Sequence, residues 1–154
     1  NHPDQWQKLQ EDRDKIPGAV EELLRYEGPV QYNVRYTLKE AHVSGGVIPA
    51  GKPVFLCGAA ANRDPRRFED PATFDPARKN ARQHISFGRG IHSCPGAPLA
   101  RAETRVALER LLDRTTDIRI NEDKHGPANN RRYQYVPTYI LRGLTELHLE
   151  FTLA

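Results

Sequence analysis

The sequence lacks methionine altogether and has only two cysteines, Cys57 and Cys94, among 154 residues. Because translation starts at methionine, we expect this chain to be a processed product or a piece of a longer protein. The two cysteines form no Cys-x-x-Cys pair, which argues against a structural zinc site. A disulfide between them stays open on number alone, although nothing else in the sequence indicates an oxidising compartment.

Long hydrophobic runs are also missing, and no stretch approaches the roughly 18 apolar residues that a membrane span needs. The sequence contains no secretory signal pattern either. We therefore expect no membrane in this segment and a cytoplasmic location, while an anchor upstream of the chain stays open.

Charge is nearly balanced, since 23 basic and 20 acidic residues give a net charge of +3. A nucleic-acid-binding module usually gathers its basic residues into one stripe. Here the arginines form only short clusters, such as Arg66 with Arg67 and Arg131 with Arg132. We therefore expect no nucleic-acid partner.

Residue patterns predict a mainly α protein with small β-sheets (α+β). Apolar residues at helical spacing predict a helix over 16–27, which Gly28 and Pro29 end. A helix over 98–113 has apolar residues on several sides, which is typical of a buried helix. A charged stretch over 2–15 is predicted to be helical or frayed. A β-rich segment over 30–58 is predicted to contain strands 30–38, 43–48 and 54–58, with a tight turn at 49–51. An irregular proline-rich loop over 61–83 and C-terminal strands within 133–153 complete the prediction.

One short run carries most of the functional signal: Phe87-Gly88-Arg89-Gly90-Ile91-His92-Ser93-Cys94-Pro95-Gly96. Its glycines let the backbone approach a flat, bulky group, because they have no Cβ. A cysteine thiolate is a soft, strongly donating ligand that favours O–O cleavage on a haem iron. A buried, inert thiol is the common alternative for a lone cysteine. For Cys57, which ends the apolar run 54–57, we keep that alternative.

The run resembles the haem-binding loop of the cytochrome P450 family of haem-thiolate monooxygenases. That loop reads Phe-x-x-Gly-x-x-x-Cys-x-Gly, which matches Phe87, Gly90, Cys94 and Gly96 without a mismatch. The resemblance implies that the cofactor is haem b (iron protoporphyrin IX), that Cys94 is its proximal iron ligand and the catalytic residue, and that Gly88 and the other loop residues contact it. It also implies the C-terminal part of the cytochrome P450 fold, from a soluble bacterial-like enzyme that inserts one oxygen atom from dioxygen into an apolar organic substrate.

Other segments extend this resemblance over nearly the whole chain. Glu22 and Arg25 resemble the family's Glu-x-x-Arg pair, and Arg78 resembles the arginine that joins it. The resemblance implies a structural trio beneath the haem, whereas a solvated surface pair is the alternative. Arg35 and His92 stand where family residues contact the haem propionates. A surface arginine is the alternative for Arg35, and an axial or zinc ligand is the alternative for His92.

The resemblance places two mostly apolar stretches against the substrate, and ordinary core is the alternative for both. They are Val30, Gln31, Tyr32, Asn33 and Val34, and then Ile140 and Leu141. A ferredoxin or reductase is the implied electron donor, and Arg89, Arg101 and Arg105 are candidates for its docking surface. A solvated helix face explains Arg101 and Arg105 almost as well.

The family's oxygen-activating helix would lie upstream of residue 1. The missing N-terminal part of the same protein is therefore an expected partner. The alternative function is that the isolated chain is a non-catalytic haem-binding or inert structural module.

Overall fold

The structure, a computed structural model, describes residues 3–154. Helix α1 (Pro3–Glu11) and a 3-10 turn (Arg13–Lys15) occupy most of the stretch predicted to be helical or frayed, whose first residue, His2, lies outside the described part. Helix α2 (Ile16–Glu27) has the bounds that the apolar spacing predicts. Pro17 stands in its first turn, where a missing N–H costs no helical hydrogen bond.

Residues 30–58 form four short strands in two separate antiparallel sheets. Their bounds are β1 Asn33–Tyr36, β2 Ala41–Val43, β3 Gly46–Ile48 and β4 Pro53–Leu56, with β1 paired to β4 and β2 to β3. The prediction of one strand over 43–48 is wrong, because Gly45 has a φ of +101° and turns the chain so that Val43 pairs with Gly46. A turn does follow at 50–51, but the strands on either side belong to different sheets.

The two-stranded sheet of β1 and β4 leaves much of β4 open to solvent. Phe55 and Leu56 are 57% and 50% exposed. Cys57, which directly follows them, is free and exposed, so the expectation of a buried thiol is wrong. Cys94 is also free, so the two cysteines form no disulfide. A short helix, α3 (Gly58–Ala61), comes next, and residues 62–80 consist of turns and bends, followed by a 3-10 turn at Ala81–Gln83.

The apolar core is small and lies where α1 and α2 meet helix α4 (Ala97–Arg114). Its buried members are Leu9, Ile16, Ala19, Val20 and Leu112. The expectation of a buried α4 is wrong for this chain, because Leu99, Val106 and Leu111 are 63%, 45% and 42% exposed. Within the described residues α4 packs mainly against α2, so most of its circumference faces solvent.

The C-terminal part is built on one antiparallel strand pair, β5 (Thr115–Ile120) with β6 (Leu149–Leu153). Residues 114–132 carry no predicted element, yet they contain β5 and the short helix α5 (Glu122–His125). Between α5 and β6 the chain makes isolated bridges, including one from Val30 to Leu141. Within residues 3–154, no helix combines the length and apolar character needed to cross a membrane.

Candidate functional site

Cys94 lies on an exposed loop directly before α4. Its backbone N–H donates to the carbonyl oxygen of Phe87 at 2.8 Å, which closes the loop on itself. Gly88 and Gly90 both have a φ of +72°, in the left-handed region that residues with a Cβ rarely adopt. These glycines therefore allow the tight return of the chain from Phe87 to Cys94.

The loop offers a single thiol on an apolar surface. Ile91 on the loop and Leu99 in the first turns of α4 are 97% and 63% exposed. A Cβ placed on Gly96 would lie 3.7 Å from the Cys94 sulfur, which is ordinary van der Waals contact. Within residues 3–154, no three His, Cys, Asp or Glu side chains gather to hold a bare metal ion. A lone thiolate suits an iron that a porphyrin would otherwise hold, so these residues fit haem.

Arg35 and His92 are exposed, as donors to a ligand at the surface of this chain need to be. Arg35 lies in β1 and donates from Nη1 to the carbonyl oxygen of Val34 at 2.9 Å. His92 ends a 3-10 turn within the cysteine loop, Gly90–His92. Among the described residues no side-chain hydrogen bond joins either one to Cys94. Their contact with haem propionates stays a prediction.

Glu22, Arg25 and Arg78 come together in one buried cluster. Arg25 donates two hydrogen bonds to the Glu22 carboxylate in a bidentate arrangement, from Nε to Oε2 at 2.7 Å and from Nη2 to Oε1 at 2.8 Å. Arg78 adds a hydrogen bond from Nε to Oε1 at 3.1 Å, and the backbone N–H of Asp75 adds another at 3.0 Å. The side chains of Glu22 and Arg25 are fully buried, so the alternative of a solvated surface pair is wrong.

The two arginines of this trio also tie the irregular loop to α2. Arg25 donates from Nη1 to the carbonyl oxygens of Asn62 and Pro71, both at 2.9 Å. Arg78 donates from Nη1 to the carbonyl oxygen of Glu69 at 2.6 Å. Burial alone would raise the pKa of Glu22, but the hydrogen bonds from Arg25, Asp75 and Arg78 outweigh burial and hold that pKa below its ordinary 4.5.

Gly18 sets how closely the irregular loop approaches α2. A Cβ on Gly18 would lie only 2.7 Å from the carbonyl oxygen of Pro76, closer than real Cβ contacts. Pro76 is buried and lies between Asp75 and Arg78, which both bind Glu22. The absence of a side chain at Gly18 therefore lets these donors reach the carboxylate.

A second buried network, centred on Glu21, is absent from the sequence predictions. Glu21 and His84 are only 3% and 6% exposed, and the Nε2 of His84 lies 3.2 Å from Oε2 of Glu21. Arg101 donates from Nε to Oε1 at 2.8 Å and from Nη2 to Oε2 at 3.1 Å. The only signal in the sequence is a second carboxylate beside Glu22, which a helix surface explains as well.

Arg101 has a structural contact that the sequence did not predict. Its charge is paired with buried Glu21, and its guanidinium carbon lies 4.8 Å from the centre of the Phe87 ring. The Arg101 side chain is still 35% exposed, and its expected role in docking stays a prediction. Arg105 pairs with Glu109 at 3.7 Å on the exposed side of α4, and Arg89 is exposed on the cysteine loop.

The two stretches expected to contact substrate lie side by side. The backbone N–H of Gln31 donates to the carbonyl oxygen of Ile140 at 3.1 Å, and Val30 forms a bridge with Leu141. Ile140 and Leu141 are 42% and 49% exposed, so in this chain they are not ordinary core. The ring of Tyr32 meets Phe55 edge to face, with centroids 5.3 Å apart.

A mixed fold with small sheets and a glycine-turned cysteine loop before a long helix is typical of a haem-thiolate protein. The chain belongs to the cytochrome P450 family, whose model matches residues 6–131. Haem is the cofactor of that family, as the loop predicts, and the fold prediction is confirmed.

Individual relatives agree with this assignment. The solved structure of cytochrome P450 CYP150A6 from Mycobacterium marinum, in its substrate-free form, is 58% identical with a TM-score of 0.95, over 99% of this chain and 37% of that one. The cytochrome P450 monooxygenase PikC of Streptomyces venezuelae is 41% identical over 98% of this chain. The 6-deoxyerythronolide B hydroxylase of Saccharopolyspora erythraea is 39% identical over 95% of it. The chain spans 35% and 34% of the lengths of these two curated relatives.

Proposed function

We propose that this chain is the haem-ligating C-terminal portion of a bacterial cytochrome P450 monooxygenase, with Cys94 as the proximal ligand of haem b. The observation that carries the proposal is the exposed Cys94 thiol on a loop that its own N–H closes onto Phe87. A thiol in an exposed loop is accessible to an iron, whereas a packed thiol is not. The helix that follows, α4, begins at Ala97, so its positive N-terminal end lies next to the loop.

The proposed reaction inserts one atom of dioxygen into a C–H bond of an apolar organic substrate. The second oxygen atom is reduced to water, and this reduction consumes two electrons and two protons. Haem, when bound, supplies the activation of dioxygen. The residues of this chain would bind and orient the haem. Cys94 would supply the thiolate ligand, and exposed Arg35 and His92 are the proposed hydrogen-bond donors to the haem propionates.

The trio of Glu22, Arg25 and Arg78 has a structural role in this proposal. Its charges are buried and satisfied by one another and by backbone carbonyls, which leaves no group free to exchange a proton with substrate. The joined stretches Val30–Val34 and 140–141 form the proposed substrate-facing wall. The two stretches are mostly apolar, and Ile140 and Leu141 are partly exposed, which favours an apolar small molecule because burying apolar surface drives such binding.

A ferredoxin or reductase is the proposed electron donor. Arg89 and Arg105 are exposed cations near the cysteine loop and speed encounter with an acidic partner. The rest of the enzyme, including the oxygen-activating helix, is the other proposed partner. The cytoplasmic location stays a prediction.

The carbon monoxide spectrum of the reduced, haem-loaded protein tests the assignment of Cys94. A thiolate-ligated iron gives a strongly red-shifted main band. We expect Cys94→Ser to abolish this band, because serine supplies no sulfur. Cys57→Ser is the matched control and should keep the band, since Cys57 is equally a free, exposed cysteine. A red-shifted band in Cys94→Ser would contradict the proposal.

The non-catalytic module remains the second candidate for the isolated chain, because α4 and the C-terminal stretches leave large apolar side chains exposed. Such surface indicates a missing covering layer. With an electron donor supplied, the 154-residue chain should bind haem without hydroxylating substrate. Turnover by the chain alone would contradict the need for the upstream part.

A further inference from the structure

We propose that Glu21, His84 and Arg101 form a positioning network that fixes the ring of Phe87 and, through Phe87, the sulfur of Cys94. We assign none of the three a contact with the iron or the substrate. The inference rests on the proposed role of Cys94 as thiolate ligand and adds residues on which the geometry of that ligand depends.

The network holds both ends of the cysteine loop on one carboxylate. His84 precedes the loop and Arg101 follows it, and both bind Glu21 of α2. Arg101 binds as a bidentate fork, the strongest geometry between these two groups. Since Cys94 lies between these two anchors along the chain, its position is defined relative to α2 from both sides.

The hydrogen bonds also fix the orientation of the His84 ring. The backbone N–H of Ser86 donates to Nδ1 at 3.1 Å, which makes Nδ1 the acceptor. The ring proton therefore sits on Nε2 and donates to Oε2 of Glu21. A ring held at both nitrogens cannot rotate without losing a buried hydrogen bond.

Phe87 is placed by the two side chains that Glu21 holds. The guanidinium carbon of Arg101 lies 4.8 Å from the centre of the Phe87 ring, within the range of a cation–π contact. The ring of His84 lies 5.9 Å from that of Phe87, tilted by 56°. The carbonyl oxygen of Phe87 in turn accepts the N–H of Cys94, so displacement of Phe87 moves the backbone of the ligand.

Burial and the neighbouring charges keep His84 in the neutral form that the network needs. Arg82 approaches Glu21 at 3.5 Å from solvent, with a side chain that is 78% exposed. Burial together with the charges of Arg101 and Arg25 holds the pKa of His84 below its ordinary 6.5, against the effect of Glu21. His84 therefore stays neutral near pH 7, as its hydrogen bond from Ser86 requires.

The test compares two arginine-to-lysine variants on the same helix in the haem-loaded protein. Arg101→Lys keeps the positive charge but loses the fork and the flat group on Phe87. Arg110→Lys is the control, since Arg110 only meets Asp113 at 3.4 Å on the exposed face. We expect Arg101→Lys to shift the haem reduction potential, to convert part of the red-shifted band to a shorter wavelength and to speed haem loss about tenfold. The control should change none of these.

A double-mutant cycle separates positioning from general stability. Phe87→Leu should produce the same potential shift as Arg101→Lys, and the combined variant should add little, because both act through one ring. Additive shifts would overturn the proposal. A lowered thermal midpoint in Arg101→Lys with an unchanged potential and band would also overturn it, because that result describes a purely structural ion pair.

The haem-free chain keeps this test independent of the proposed function. With Cys57→Ser as background, the rate at which iodoacetamide alkylates Cys94 reports the accessibility and mobility of its thiol. Arg101→Lys should change this rate and Arg110→Lys should not. If the wild-type protein gave no red-shifted band, the ligand assignment would fail, whereas equal alkylation rates in the two variants would overturn the positioning network alone.

Discussion

Removal of the Glu22 carboxylate should be the most damaging single change in the buried trio. In the Glu22→Ala variant, four hydrogen bonds lose their acceptor: two from Arg25, one from Arg78 and one from the N–H of Asp75. Arg25 keeps its carbonyl acceptors but retains a buried, unneutralised charge. Breaking a buried pair in this way costs about 3–5 kcal/mol. That is a large share of the roughly 5–15 kcal/mol that stabilises a typical domain.

The measurement is the free energy of unfolding in urea, together with the haem content of the purified protein. Glu109→Ala is the matched control, because Glu109 also binds an arginine on a helix but is 44% exposed. Exposed pairs contribute less than about 1 kcal/mol. We expect a large loss of stability and of haem-loaded protein for Glu22→Ala only. Equal, small losses in both variants would refute the view that the trio stabilises the fold from a buried position.

Two further predictions concern acid and the residue after the ligand. The pKa of His84 lies below its ordinary 6.5, and hydrogen bonds hold the pKa values of Glu21 and Glu22 below 4.5 in spite of burial. Depressed values make the folded state bind fewer protons than the unfolded state, so unfolding experiments should show stability falling as pH drops below about 6.5 and again below about 4.5. A flat profile between pH 7 and 5 would contradict the neutral His84, and His84→Gln should remove the first step. Pro95→Leu restores a backbone N–H that can donate a hydrogen bond to the Cys94 sulfur. Because such a hydrogen bond withdraws charge from the thiolate, the variant should raise the haem reduction potential in a redox titration. An unchanged potential with normal haem content would leave Pro95 only a stiffening role.

Local patterns were sufficient where the structure depends on neighbours in sequence. The bounds of α2 follow from apolar residues that recur every three or four positions, and Glu22 and Arg25 share one face for the same reason. The β2–β3 hairpin escaped prediction because the one predicted strand runs through Ser44-Gly45-Gly46, although serine and glycine are typical of turns. Ser44 and Gly45 form the turn, and Gly45 lies in the left-handed region.

Features that depend on distant residues were less accessible to sequence reasoning. Glu21 and Arg101 are 80 residues apart, and each by itself resembles an ordinary charged residue on a helix surface. The composition of α4 predicts burial, but burial depends on which partners are present, and this chain supplies α4 with few of them. Which charges pair and which apolar faces are covered depends on contacts between distant segments, and these contacts exist only in the assembled fold.

The close approach at Gly18 means that the loop bearing Arg78 meets the backbone of α2 directly at Pro76, in addition to its hydrogen bonds with the side chains of Glu22 and Arg25. Backbone positions in a helix vary little, whereas side chains exchange between rotamers. At Pro76 the position of the loop is therefore set by the backbone of the helix. Alanine at position 18 would act as a spacer: one added carbon would lift Pro76 and its neighbours as a unit and lengthen the contacts from Asp75 and Arg78 to Glu22 together.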